Sequence, residues 1–182
     1  SIIFVDITVN DILNENKACV IELVSQILRQ IIFKRISVQE FPQIIRLVQP
    51  HEEIGDILRL GPDDILKRWV NYHMSQLQIK ERLKSFSEDL KDSKIYALLL
   101  RKLNPKVDIS FMNNQNLYIR AQRLLKEVPK IGANVYLKYS DIVSGNANLN
   151  KFFLAELFLS CIGLSDPTDE EIKKANTLMD EI

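Results

Sequence analysis

The chain has 182 residues, of which 46% are hydrophobic and 26% are charged, and this is the composition of an ordinary globular protein. Lysine and arginine together number 24, as do aspartate and glutamate, so the net charge is zero. A chain without a net field is a poor candidate for non-specific binding to nucleic acid or to membranes, and we expect neither as a partner.

The two cysteines, Cys19 and Cys161, lie far apart and are too few for a disulfide framework. This favours a reducing cytoplasm. No apolar run reaches the roughly 18–20 residues of a membrane span. The first five residues lack the basic start of a signal peptide, and they lack an initiator methionine, which favours a fragment of a longer protein.

The first predicted helix begins near Ala18. Apolar residues recur there at helical spacing along one stripe, while basic and polar residues occupy much of the other side. The stripe consists of Val20, Ile21, Val24, Ile27, Leu28, Ile31 and Ile32. An exposed apolar stripe of this size would need a partner surface.

Residues 37–60 form a broken stretch, because Pro42, Pro50 and Gly55 interrupt any longer helix. We predict short helical turns around residues 44–48 and 53–59. A flexible tether would be rich in glycine and serine, so this composition indicates an ordered connection.

Gly61-Pro62-Asp63-Asp64 opens the next predicted helix. Proline suits the first helical position, and the two carboxylates suit the positive end of the helix dipole. The residues that follow at helical spacing are Ile65, Leu66, Trp69, Val70, His73, Met74 and Leu77. Because the neighbours of Trp69 on this stripe are apolar, we expect its indole to anchor a buried core.

Three more core helices and a polar terminal helix complete the chain. The first begins near Asp92, a favourable cap, and stops at Asn104-Pro105. The second covers 117–128, and the third begins at Asn146 and is apolar on most sides, which predicts a central position. Thr168–Glu171 is a capping box that begins the terminal helix, and we expect its acidic first turn to be solvated. No strand pattern of comparable strength appears, so the predicted fold is all-α.

The sequence contains no recognisable pattern of catalytic or metal-binding residues. His51 and His73 are distant from each other and lack a cysteine or acidic partner at ligand spacing. Ser144-Gly145-Asn146 fits a turn and a helix cap, because a phosphate loop needs more glycines and a Lys-Ser/Thr pair. We therefore predict no metal, no cofactor and no enzymatic activity.

Five segments resemble the motifs of the calponin-homology domain, in that family's order and rough spacing. They are Asp63–Met74, Leu90–Leu100, Arg120–Leu125, Ile131–Ala133 and Asp141–Asn150. The string Trp-Val-Asn-Tyr-His at 69–73 is typical of the fimbrin/plastin family, and Asp-Ile-Val-Ser-Gly-Asn at 141–146, followed by an apolar helix, is the most specific motif. The resemblance implies one complete calponin-homology domain with four main helices and short connecting helices.

The first sixty residues resemble the end of a preceding calponin-homology domain. Asp11–Lys17 occupies the place of the family's Asp-Leu-x-Glu-Gly segment, and residues 18–35 that of its last helix. This part departs from the family pattern, since Glu15 and Glu22 stand where glycines are expected and Ser25 where tryptophan is frequent.

The implied division of the chain is residues 1–60 as the end of the preceding domain with its connection, 61–164 as the complete domain, and 165–182 as a polar helical linker. The first helix of the earlier domain is absent. Either a longer protein was cut, or the helix at 18–32 packs on the intact domain, on itself or on another copy of the chain.

Paired calponin-homology domains bind filamentous actin, and fimbrins carry two pairs that tie filaments into bundles. The resemblance thus implies actin binding by part of a crosslinker in the cytoplasmic actin cytoskeleton, with weak or no binding by this fragment alone. The implied contacts are Val24, Ile27, Arg29, Lys34 and Arg35 on the first helix, and Lys67, Arg68, Tyr72 and His73 as outward side chains of residues 62–77. A mixed basic and apolar face on a rigid helix suits the acidic edges and apolar groove of actin.

The resemblance leaves an alternative open, because fold does not fix function. A calponin-homology adaptor could bind a different protein, such as tubulin or a signalling protein, through the same fold. Binding to such a partner without filament pelleting would favour that alternative.

Overall fold

The computed structural model describes residues 17–181, without the side chains of Lys17, Ala18, Ile21, Glu22, Ser25 and Arg29. The predictions for Asp11–Lys17 lie almost wholly outside this range. The helices are α1 (Lys17–Lys34), α2 (Ile54–Leu58), α3 (Pro62–Gln76), α4 (Lys94–Leu103), α5 (Leu117–Glu127), α6 (Tyr139–Ser144), α7 (Ala147–Ser160) and α8 (Asp169–Asp180). Short 3₁₀ turns lie at Pro42–Leu47, Glu88–Leu90, Ser110–Asn113 and Val128–Ile131. Residues 17–181 contain no β-strand, and the all-α prediction is confirmed.

The helix ends follow local signals in the sequence. Pro62 is the first residue of α3, as predicted. Gly145 ends α6 in the left-handed conformation at φ 72°, and Asn146 then caps α7 by accepting a hydrogen bond from the Leu149 amide at 3.1 Å. Thr168 caps α8 through a capping box with Glu171.

The cap predicted at Asp92 is off by one residue. Helix α4 begins at Lys94, after Ser93, which is fully buried and has a φ of 64°. Asp92 still accepts a hydrogen bond from the Lys94 amide, at 2.9 Å. The aspartate therefore satisfies one unpaired amide at the helix start, while the left-handed turn at Ser93 sets where the helix begins.

Trp69 lies at the centre of the core, as predicted. Its side chain is fully buried and its ring meets Phe158 of α7 edge to face, with 5.2 Å between ring centroids. The indole Nε1 donates a hydrogen bond to the Ile162 carbonyl at 2.6 Å. Trp69 thus joins α3 to α7 and to the segment that follows α7, and it leaves no buried donor unpaired.

Residues 35–60, which we call the connector, pack against the domain. Six of its apolar side chains are buried: Ile36, Val38, Ile44, Ile45, Leu47 and Ile57. Phe41 meets Phe158 edge to face at 5.3 Å. The connector is therefore part of the same hydrophobic core as the helices that follow it, in agreement with the prediction of an ordered connection.

Helix α8 folds back onto the connector. Ala175 is buried, and Met179 packs against the core. Asp169 and Glu170 are exposed, as expected of a solvated helix start. Glu171 is partly exposed, and its carboxylate also forms an ion pair with Arg46 of the connector at 2.8 Å.

Candidate functional site

One side of α1 carries large apolar residues in solvent. Val20, Val24, Leu28 and Ile31 are between 37% and 52% exposed, and we call these four residues the exposed stripe. Their spacing of four, four and three residues places them in one row along the helix. A row of this kind on a rigid helix is the arrangement of side chains that protein partners bury.

The end of α1 is fixed to the calponin-homology-like helices on its other side. Ile32 and Phe33 pack against the core, and the Phe33 ring stacks on Phe152 of α7 with 5.3 Å between centroids. Ile27, predicted as a contact, is half-buried. Because the C-terminal end of α1 is anchored, that end of the exposed stripe is held in a fixed position.

Cations follow the exposed stripe at the end of α1. Lys34 is exposed, and Arg35 donates from Nε to Glu40 at 3.0 Å with both side chains about half exposed. The predicted contact Arg29 has its side chain outside the described part of the chain. Two cations at the C-terminal end of a helix also interact favourably with the negative end of the helix dipole. The position of these two cations is therefore explained by helix stability as well as by contact with a partner.

On α3, Lys67 is the predicted contact that remains accessible. Its side chain is 32% exposed, its ammonium lies 3.8 Å from Asp64, and it lies 5.4 Å from the centroid of the Phe86 ring. Tyr72 is half-buried and packs against the core. The outward face of α3 thus has fewer side chains available to contact a partner than the sequence predicts.

Arg68 forms an ion pair with the connector. Its guanidinium binds both carboxylate oxygens of Glu52 in the connector, at 2.5 and 2.7 Å. These hydrogen bonds lower the pKa of Glu52 to about 2. Because the paired groups satisfy each other, Arg68 holds the connector on α3, and the expectation of an outward, free guanidinium is wrong.

The expectation that His73 faces outward is wrong. The side chain is 1% exposed, and its Nε2 lies 3.1 Å from the same Ile162 carbonyl that accepts from Trp69. Nδ1 has no hydrogen-bond partner among the described residues. Protonation would place an unpaired charged donor in the core, and burial accordingly lowers the pKa of His73.

We expect the free energy of unfolding to fall as the pH drops below about 6.5, the ordinary pKa of histidine. The pKa of His73 is lowered in the folded state, so the unfolded chain takes up this proton first. The slope is at most about 1.4 kcal/mol per pH unit. Urea unfolding between pH 5 and 7 measures this slope. This range is chosen because carboxylates titrate at lower pH. His73→Phe should remove the slope and the exposed-site control His51→Gln should keep it, whereas an unchanged slope in His73→Phe would contradict the assignment.

Lys151 of α7 contacts both α1 and α3, the two helices that carry the predicted contacts. Its ammonium binds Asp63 of α3 at 2.6 Å and lies 5.8 Å from the centroid of Phe33 of α1 and 5.6 Å from that of Phe86. One side chain thus contacts α1, α3 and the loop after α3. The sequence contained a signal for this role that our prediction did not use, since Lys151 is the single basic residue of the apolar helix α7.

A second exposed apolar surface lies away from the predicted contacts. It consists of Tyr118, Val135, Tyr136 and Tyr139, which we call the tyrosine patch. Tyr136 is 74% exposed, and the rings of Tyr118 and Tyr139 meet edge to face at 6.2 Å. Sequence periodicity did not single these residues out, because most of them lie in or beside a short loop.

Within residues 17–181 the structure shows neither a group of three or more His, Cys, Asp or Glu side chains suited to a metal ion nor a helix long and apolar enough to span a membrane. Among the described residues the predicted contacts that remain accessible are Val24, Lys34 and Arg35 near or on α1 and, in part, Lys67 on α3.

The chain is similar in sequence to known proteins over most of its length. Fimbrin from Dictyostelium discoideum is 38% identical over 157 residues, which are 85% of this chain and 26% of that protein. Plastin-1 from Homo sapiens is 32% identical over 177 residues, 92% of this chain and 28% of that protein. The chain thus spans about a quarter of the length of these relatives.

A solved structure, the actin-crosslinking core of Schizosaccharomyces pombe fimbrin, superposes with a TM-score of 0.71 at 29% identity. It covers 92% of this chain and 32% of that one. The sequence profile of the calponin homology (CH) domain matches residues 60–162. Since this match includes more than half of the chain, the chain belongs to the calponin-homology domain family, and within that family it is similar to fimbrins and plastins.

Proposed function

We propose that this chain binds filamentous actin as part of a fimbrin-type crosslinking protein of the cytoplasmic actin cytoskeleton. The observation that carries the proposal is the exposed stripe of α1, which is followed by Lys34 and Arg35 and is anchored beside the region that matches the calponin-homology domain. The description of the fission-yeast structure as an actin-crosslinking core supports the same function.

The exposed stripe supplies affinity in this proposal. Burying Val24 and Leu28, each about half exposed, removes apolar surface from water at the contact. Because α1 is already helical and anchored through Phe33, binding orders little additional chain. Lys34, Arg35 and Lys67 lie at the margin of the contact and orient the chain against an acidic partner surface.

The buried and paired residues of α3 act indirectly. Arg68 holds the connector through Glu52, and Lys151 holds α3 against α1, so both fix the relative position of the two contact helices. His73 contributes to the core beneath α3. Substitutions at these positions are expected to affect binding through the fold.

Cosedimentation of the chain with actin filaments tests the function. We expect weak but saturable, filament-dependent pelleting that decreases further as salt rises, because part of the contact is electrostatic. Microtubules serve as the parallel sample for the tubulin-binding alternative. Pelleting with microtubules and not with actin filaments would overturn the proposal.

Lys34→Glu is expected to weaken filament binding roughly threefold, mainly by slowing association, since an exposed cation at the margin contributes little to the final affinity. Stopped-flow mixing with labelled filaments measures the association rate. Lys126→Glu makes the same charge reversal at an exposed position of α5 and is the control. Equal effects of the two variants would show that Lys34 acts only through net charge.

A further inference from the structure

The interface between α8 and the connector is bordered by clefts. Ile172, Ala175 and Met179 point from α8 to the connector at a spacing of three and four residues. Two clefts lie at this interface, with volumes of about 260 and 190 Å³. Both clefts are open to solvent and large enough for several water molecules.

Apolar residues of the connector and of α3 form the wall that α8 covers. The larger cleft is lined by Ile36, Val38, Ile57, Leu58, Leu60, Ile65 and Met179, among others. Seen from the connector, the arrangement is an apolar groove occupied by an amphipathic helix of the same chain.

Polar contacts at the start of α8 hold the helix in this groove. Arg46 of the connector binds both carboxylate oxygens of Glu171, at 2.8 and 2.9 Å, and the Asp166 carbonyl at 2.9 Å. Gln43 donates to the Asp166 side chain at 2.9 Å. The side chains of Arg46 and Glu171 are 27% and 30% exposed, so water reaches the pair.

We propose that α8 is a releasable helix, which leaves the groove while the calponin-homology core stays folded. Ala175 is the one fully buried residue of α8, two clefts open to solvent border the helix, and the ion pair at its first turn is partly exposed. Segments with few buried contacts open at a lower free energy than the core.

Release of α8 would leave the connector attached at its other side. Arg68 and Glu52 still join the connector to α3, and Ile44 stays in the core. The groove, with its apolar wall, would then be open to another helix. The structure thus assigns α8 as the occupant that keeps this groove closed.

Native-state hydrogen exchange of the whole chain tests the proposal. In the wild type we expect the amides of α8 to exchange through a local opening that urea affects little, and those of α3 and α7 through global unfolding. Glu171→Gln retains a side chain that can complete the capping box but loses the charge of the ion pair. It should speed exchange in α8 about fivefold and leave α3 and α7 unchanged.

Glu170→Gln removes the same charge from a neighbouring exposed position and is the matched control, expected to leave exchange in α8 unchanged. Arg46→Gln should reproduce the effect of Glu171→Gln, and the double variant should add little to either, because the two side chains form one interaction. Exchange of α8 only through global unfolding would overturn the proposal. An equal effect of Glu170→Gln and Glu171→Gln would show that the ion pair with Arg46 does not hold α8 in the groove.

Discussion

Replacing Trp69 with alanine is expected to lower the free energy of unfolding by about 3–5 kcal/mol. The indole is fully buried between α3 and α7, and its removal leaves a cavity beside Phe158 that the two helices can close only in part. The Ile162 carbonyl also loses the hydrogen bond from Nε1. A loss of this size is a large part of the stability of an ordinary domain.

Urea unfolding followed by far-ultraviolet circular dichroism measures the effect, since Trp69 is the single tryptophan and its fluorescence disappears with it. Trp69→Phe keeps an aromatic ring in the core but removes the donor, and should cost about 1–2 kcal/mol. If Trp69→Ala cost less than Trp69→Phe, the indole would not be the centre of the core.

Val24→Asp is expected to weaken actin-filament binding roughly tenfold or more, because it places a carboxylate in the middle of the exposed stripe. The charge would have to be desolvated against an apolar part of the contact and would oppose the acidic partner surface. Since Val24 is 49% exposed, the fold should tolerate the change. Cosedimentation over a range of filament concentrations gives the affinity.

Val135→Asp is the matched control for this variant. Val135 is a valine of the tyrosine patch, 39% exposed, and the substitution introduces the same charge on a different surface. We expect binding by Val135→Asp to equal that of the wild type. Equal losses in the two variants would place the contact elsewhere, or would show that both act through net charge.

Signals from neighbouring residues predicted most of the secondary structure. Proline at the start of α3, the Gly145-Asn146 pair between α6 and α7, and the capping box of α8 each satisfy backbone groups within a few residues. The apolar stripe around Trp69 likewise depends on helical spacing alone. Such features need no knowledge of the tertiary fold.

The side-chain directions on α3 were harder to predict, and His73 shows why. It follows Trp69 by four residues and therefore shares the buried stripe, but the resemblance to the family's contact helix placed it among the outward side chains. The deciding partner is the Ile162 carbonyl, 89 residues away in sequence. Likewise, Glu52 and Glu171 lie on other segments than the arginines they bind, so helical spacing carries no information about these pairs.

The contact residues themselves stay a prediction, as does the division into residues 1–60, 61–164 and 165–182. What the structure adds is a selection among the candidates by exposure. Val24 and Lys34 are exposed and Lys67 is partly so, whereas Arg68 is paired and His73 is buried.

An electron cryomicroscopy structure of actin filaments decorated with this chain would test the contact face most directly. We expect Val24 and Leu28 of α1 to lie against the filament, Lys67 of α3 to lie near its edge, and Tyr136 to face the solvent. A filament bound through the tyrosine patch, with the row from Val20 to Ile31 turned away from actin, would contradict this account.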